Sequence, residues 1–143
     1  MPVLAIGLIA AGNQLTAANM SLYGGNEGLV NLTSGDNNVA VGDQSLADTT
    51  TGSQNTAIGE MSLKSNTTGA GNTALGRFSL YSNSTGGDNV AVGVGALTAN
   101  IEGSQNTAIG SAAGSNNVSG TGNVFIGYMA GSQTSGSNML VID

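Results

Sequence analysis

The hydrophobic and polar positions of this chain recur with a period of seventeen residues. Each repeat carries a short motif: Asn, a variable residue, a small residue, a branched aliphatic residue and Gly. The six motifs read NVAVG, NTAIG, NTALG, NVAVG, NTAIG and NVFIG, and they open at Asn38, Asn55, Asn72, Asn89, Asn106 and Asn123. Fixed periods of this length are typical of repeat folds, in which each unit stacks on its neighbours.

Two apolar columns are predicted to line the interior of the stack. Along a strand, successive side chains point to opposite faces, so the third and fourth motif positions face opposite ways. We expect the fourth position to form a core ladder, which consists of Val41, Ile58, Leu75, Val92, Ile109 and Ile126. The second column would lie on a second strand of each coil, and it consists of Leu46, Leu63, Leu80 and Leu97.

The third motif position is small in most repeats. Its members are Ala40, Ala57, Ala74, Ala91 and Ala108. Each coil has few large apolar groups to offset the entropy of ordering its backbone, so a lone rod would be weakly stable. We therefore expect the Ala column to contact neighbouring rods, since small side chains allow close packing. The alternative is that Ala fits inside a narrow coil.

Two glycine columns are predicted to mark the turns of each coil. The column that closes the motif consists of Gly42, Gly59, Gly76, Gly93, Gly110 and Gly127. The other column, which includes Gly52 and Gly69, precedes each motif Asn by three residues. Glycine is favoured at such positions either by a positive φ or by close approach of another backbone.

These patterns predict an all-β fold, a parallel β-roll or β-solenoid of about six coils over residues 28–143. Helical periodicity is missing, and every coil carries glycines that would break a helix. Residues 1–27 fit the repeat poorly, which predicts an irregular N-terminal cap or attachment segment. Residues 138–143 resemble a last motif with Ile142 in place of its Gly, and predict a terminating cap strand.

Composition argues against several kinds of chemistry. Lys64 and Arg77 are the only basic residues against eight acidic ones, giving a formal charge of −6, which disfavours nucleic acid as a ligand. The chain has no Cys and no His, and therefore lacks thiolate and imidazole groups. Asp43, Glu60 and Arg77 share one column, which favours a surface charge ladder over a catalytic carboxylate pair. We predict no enzymatic activity, cofactor or metal ligands; structural calcium is left open.

A few larger side chains interrupt the small, polar pattern. They are candidates for contact with a partner, and they are Arg77, Phe78, Tyr81 and Tyr128. The alternative is that these side chains pack under a loop.

The only candidate targeting segment runs from Pro2 to Gly12, is too short to span a bilayer, and predicts no membrane insertion.

The repeated N-x-A-[IVL]-G, followed by x-x-[SA]-L or x-x-A-G, resembles the head repeats of trimeric autotransporter adhesins of the YadA type. It is also similar to repeats of phage tail-fibre and short-fibre proteins. The resemblance covers about residues 28–143. It implies a left-handed parallel β-roll and a homotrimer of three chains side by side, although the seventeen-residue coil is longer than the usual adhesin coil.

An autotransporter also carries a secretion signal, a coiled-coil stalk and a membrane barrel, none of which this sequence shows. We therefore expect a non-enzymatic bacteriophage virion protein, either a short fibre or spike or a capsid decoration trimer. It would assemble in the cytoplasm of the host bacterium and dock on other virion proteins through residues 1–27. Contact with a host-surface glycan is left open. The alternative is the head of a bacterial trimeric adhesin, at the cell surface, that binds host glycans or matrix.

Overall fold

The structure is a computed structural model that describes residues 6–10 and 20–143, with side chains from residue 23 onward. Within these ranges the chain is all-β and forms one nine-stranded sheet whose strands follow chain order. The strands are β1 Ile6–Ala10, β2 Met20–Gly24, β3 Val39–Val41, β4 Thr56–Ile58, β5 Thr73–Leu75, β6 Val90–Val92, β7 Thr107–Ile109, β8 Val124–Ile126 and β9 Leu140–Ile142.

The sheet is a parallel β-solenoid preceded by one antiparallel strand. β1 pairs antiparallel with β2, whereas each later pair from β2–β3 to β8–β9 is parallel. Val41 lies beside Ile58 and Ile58 beside Leu75, so equivalent residues seventeen apart stack on one another. The predicted solenoid is confirmed, with about seven turns between β2 and β9 instead of six.

Both ends differ from the sequence-based boundaries. β2 pairs in register with β3, with Tyr23 beside Ala40, so the parallel stack begins inside the segment predicted as a cap or attachment. In the last turn Ile126 pairs with Ile142, a spacing of sixteen residues. Ile142 therefore takes the aliphatic position of the motif, and the prediction that it replaces the Gly is wrong.

Each described coil contains one short strand rather than the two that were predicted. The Leu column lies in the turn segment between strands, where Leu46 and Leu63 have φ values of 52° and 50°. This left-handed conformation costs an L-residue about 1–2 kcal/mol. Complete burial of a Leu side chain contributes about 1.5–3 kcal/mol and offsets that cost. Leu46, Leu63, Leu80 and Leu97 are all fully buried, so their predicted interior position is confirmed.

The two faces of the strands are the reverse of the prediction. The whole Ala column is completely buried inside the single chain. The aliphatic column points outward: Val41, Ile58 and Ile109 are 42%, 44% and 44% exposed. The reason is the width of the coil, because the buried Leu side chains fill the interior and leave room only for a methyl group opposite them.

Two predictions are therefore wrong for the single chain. The column that was expected to be a core ladder lies on the outer face, half-buried or exposed: Val41, Ile58, Leu75, Val92, Ile109 and Ile126. The column that was expected to contact a neighbouring chain lies in the interior: Ala40, Ala57, Ala74, Ala91 and Ala108. The alternative interpretation, that Ala fits inside a narrow coil, is confirmed.

The two glycine columns have different physical origins. In the closing column, Gly42 has a φ of 131°, as the predicted turn requires, and a Cβ there would lie 2.6 Å from the carbonyl oxygen of Gly59. In the other column, Gly52 has no positive φ, but a Cβ would lie 2.5 Å from the carbonyl oxygen of Gly69. Close stacking of backbones thus excludes a side chain at the second column.

Candidate interaction surfaces

The outer face of the parallel strands is an uncharged surface, here called the strand face. Each three-residue strand sends its first and third side chains outward, on either side of the buried middle residue. From β3 to β9 these side chains are Val39, Val41, Thr56, Ile58, Thr73, Leu75, Val90, Val92, Thr107, Ile109, Val124, Ile126, Leu140 and Ile142. An extended apolar surface of this kind is typical of a site where another molecule packs.

An internal ladder of amide side chains links neighbouring coils behind the strand face. The backbone N–H of Asn55 donates to Asn38 Oδ1 at 3.0 Å, and Asn55 Nδ2 donates to the carbonyl oxygen of Gly69 at 2.9 Å. Asn72, Asn89 and Asn106 repeat these bonds one coil at a time. The motif Asn residues therefore bind neighbouring coils and are not free to hold a ligand.

Sequence reasoning missed a second buried ladder. It consists of Asn66, Asn83, Asn100 and Asn117, each fully buried. Asn83 Nδ2 donates to Asn66 Oδ1 at 2.9 Å and to the carbonyl oxygen of Gly86 at 2.9 Å. The seventeen-residue spacing of these residues was a signal that could have revealed the ladder.

Three of the predicted contact residues form a cluster on the turn segment that follows β5. The guanidinium carbon of Arg77 lies 4.2 Å from the centre of the Phe78 ring. Phe78 and Tyr81 meet edge to face, with ring centres 5.6 Å apart. Tyr128, which is 72% exposed, occupies the same column as Arg77 but lies three coils away, so the structure does not bring it into this cluster.

Ion pairs extend the cluster to the neighbouring coils. Arg77 Nε lies 2.9 Å from Glu60 Oε2, and Lys64 Nζ lies 3.3 Å from Asp48 Oδ2. Lys64 and Tyr81 occupy equivalent positions of adjacent coils. The expected charge ladder is thus present between Glu60 and Arg77. Exposed pairs of this kind contribute about 0–1 kcal/mol each.

The part of the chain that the structure describes has no group of three or more His, Cys, Asp or Glu residues arranged to hold a metal ion. It also has no helix with the length and apolar character needed to cross a bilayer.

Comparisons with known proteins give no match, so any proposal for the function of this chain rests on its fold and its surfaces. No protein-family model, no curated protein and no solved structure matches the chain. The parallel β-solenoid is established by the strand pairing alone. The likeness to YadA-type and phage-fibre repeats remains a prediction from the motifs.

Proposed function

We propose that this chain is a non-enzymatic structural protein of a bacteriophage virion, a short fibre, spike or capsid decoration element that works as a homotrimer. The observation that carries the proposal is the strand face: an uncharged surface of aliphatic and Thr side chains that runs along the parallel stack. A rod with such a face is suited to packing against other rods.

The exposure of the aliphatic column supports self-association. Val41, Ile58 and Ile109 lie in line, each more than two-fifths exposed in the single chain. Burying apolar surface contributes about 25 cal/mol per Å², so contact between strand faces would be favourable along most of the rod. The strand face replaces the Ala column as the proposed contact between chains. That there are three chains follows from the resemblance of the motifs.

The state of the carboxylates supports a structural role over a catalytic one. Glycoside hydrolysis uses two carboxylic groups that face each other across a substrate. Here Glu60 is paired with Arg77 and Asp48 with Lys64, each pair on the outside of the stack. The chain has no His or Cys to act as a base or nucleophile.

We propose that the chain docks on other virion proteins through the residues before Met20. The original prediction assigned docking to residues 1–27, but β2 within this range is part of the parallel stack. Residues 1–5 and 11–19 lie outside the described part of the chain. A truncated chain that begins at Met20 would keep the pairing of β2 with β3 but would lose β1 and its antiparallel pairing with β2, so its folding is checked before attachment is tested.

Analysis of purified phage particles tests the proposal. Mass spectrometry of particles from the producing culture is expected to detect peptides of this chain in copy numbers that are multiples of three. The chain that begins at Met20 is expected to form the same oligomer but to be missing from particles. Absence of the full chain from particles contradicts the virion role, and its recovery in an outer-membrane fraction would favour the adhesin alternative.

A further inference from the structure

We propose that the turns after β4 and β5 form a binding site for a neutral hexose sugar, centred on Phe78 and Tyr81. This inference deepens the host-contact role and rests on the proposed function for its biological meaning. The binding itself can be measured whether or not the chain is a virion protein. The site is here called the aromatic patch and consists of Glu60, Met61, Lys64, Arg77, Phe78 and Tyr81.

The stack concentrates unusual side chains in the aromatic patch. Met61 and Phe78 occupy equivalent positions of adjacent coils, as do Lys64 and Tyr81. In the next coil the positions of Phe78 and Tyr81 are held by Gly95 and Thr98. The coil therefore closes without large side chains at these positions, and the solenoid fold does not require the aromatic rings.

The chemistry of the patch fits a sugar. Phe78 and Tyr81 are half-buried and Arg77 lies over one face of the Phe78 ring, so the remaining exposed part of the two rings is the apolar surface offered to the C–H groups of a pyranose ring. The Arg77 guanidinium and Glu60 carboxylate lie side by side, so donors and acceptors are available for adjacent sugar hydroxyls. The Tyr81 hydroxyl makes no hydrogen bond to the described residues and is available as a further donor or acceptor.

The size and charge of the aromatic patch favour a small neutral ligand over a protein or an anionic glycan. The patch covers two coils, about 10 Å of the rod, which is too small for the roughly 800 Å² per partner of a stable protein interface. Its two cations, Lys64 and Arg77, face one carboxylate of the patch, Glu60, and the charge sums to zero only when Asp48, the ion-pair partner of Lys64 outside the patch, is included. The whole chain has a formal charge of −6, which disfavours an anionic glycan.

Aromatic NMR of the full chain tests the proposal. The chain contains two Phe and three Tyr residues, so each ring can be followed separately, and the fully buried Phe125 is an internal control. The probes are the methyl glycosides of D-glucose, D-galactose and D-mannose, with D-galacturonate as the acidic comparison. Saturable shifts of Phe78 and Tyr81 with at least one neutral glycoside, and weaker shifts with galacturonate, are expected.

The next coil provides a matched variant. Arg77→Val, Phe78→Gly and Tyr81→Thr together convert this turn into the sequence found at residues 94, 95 and 98. The combined variant is expected to keep the fold and to bind about tenfold more weakly, the equivalent of one or two lost aromatic contacts. Tyr128→Ser, outside the patch, is expected to bind as the original chain does. No shift with any neutral sugar, stronger shifts with galacturonate, or unchanged binding by the combined variant would overturn the proposal.

Discussion

Thr49 occupies the position that Asn66, Asn83 and Asn100 hold in the following coils. Its side chain is fully buried, and its hydroxyl oxygen has no hydrogen-bond partner among the residues that the structure describes. Asn66 donates to the carbonyl oxygen of Gly69 and accepts from Asn83, and Thr49 can reproduce neither bond. The second amide ladder therefore begins at Asn66, although the column of buried side chains starts one coil earlier, at Thr49.

Thr49→Asn is expected to stabilise the chain by about 1–2 kcal/mol, because it adds up to two buried hydrogen bonds of about 1 kcal/mol each. The new amide would donate to the carbonyl oxygen of Gly52 and accept from Asn66. Urea unfolding at equal protein concentrations measures the gain. Thr49→Val, which only removes the unpaired hydroxyl, is the control. Equal stability of the Asn and Val variants would contradict the ladder account.

At this scale the sequence predicts which residues stack but not which way they face. Ala40 and Val41 are both apolar, so their alternation is compatible with either one pointing inward. The choice depends on how much space the buried Leu46 column leaves opposite the strand. The distance between the strand and the Leu46 column is set when the coil closes, and it cannot be obtained from the seventeen-residue period alone.

Near the C-terminal end, three positions of the coil change together. Phe125 replaces the Ala of the motif, while Gly114 and Gly131 replace members of the Leu column. A Cβ on Gly114 would lie 2.5 Å from Cδ2 of Phe125, and a Cβ on Gly131 would also meet the Phe125 ring. One large ring thus fills the space that two Leu side chains occupy in other coils.

Phe125→Ala alone is expected to cost about 3–5 kcal/mol, because it leaves a cavity in the interior. Adding Gly114→Leu and Gly131→Leu is expected to restore most of this loss, because Leu97 already adopts the required φ of 51°. The two Leu substitutions with Phe125 retained are expected to destabilise the chain through overlap with the ring. Denaturant unfolding of the three variants measures the coupling. If the changes in unfolding free energy caused by the Phe125 and the glycine substitutions simply add, the three positions do not share one space.

The number of strands per coil was beyond the reach of sequence reasoning. The Leu column has the regular spacing expected of a second strand, but Leu63 and Leu80 adopt left-handed conformations in a turn. Such a conformation is unusual for Leu, so no local rule predicts it. The strands at the motif, in contrast, were predictable because β-branched residues flank most of the buried motif positions.

Over the whole molecule, the stack separates two kinds of surface. The strand face is a continuous array of aliphatic and Thr side chains, and the aromatic patch lies on the turn segment beyond the closing glycines. The sequence predicted the aliphatic column as a core ladder, and it indicated Arg77, Phe78 and Tyr81 as candidates for contact, with packing under a loop as the alternative. It could not show that these three form one cluster, because the path of the turn sets their distances.

Sedimentation equilibrium of the intact chain tests the central claim, that copies of the chain associate through the strand face. The expected mass is three times the 13.9 kDa of a single chain. Ile58→Lys is expected to give single chains, because it places a charge in the contact. Ile101→Lys is the matched control, since Ile101 is 46% exposed against 44% for Ile58 but lies outside the strand face. A mass of 13.9 kDa for the original chain, or the same oligomer for both variants, would contradict the account.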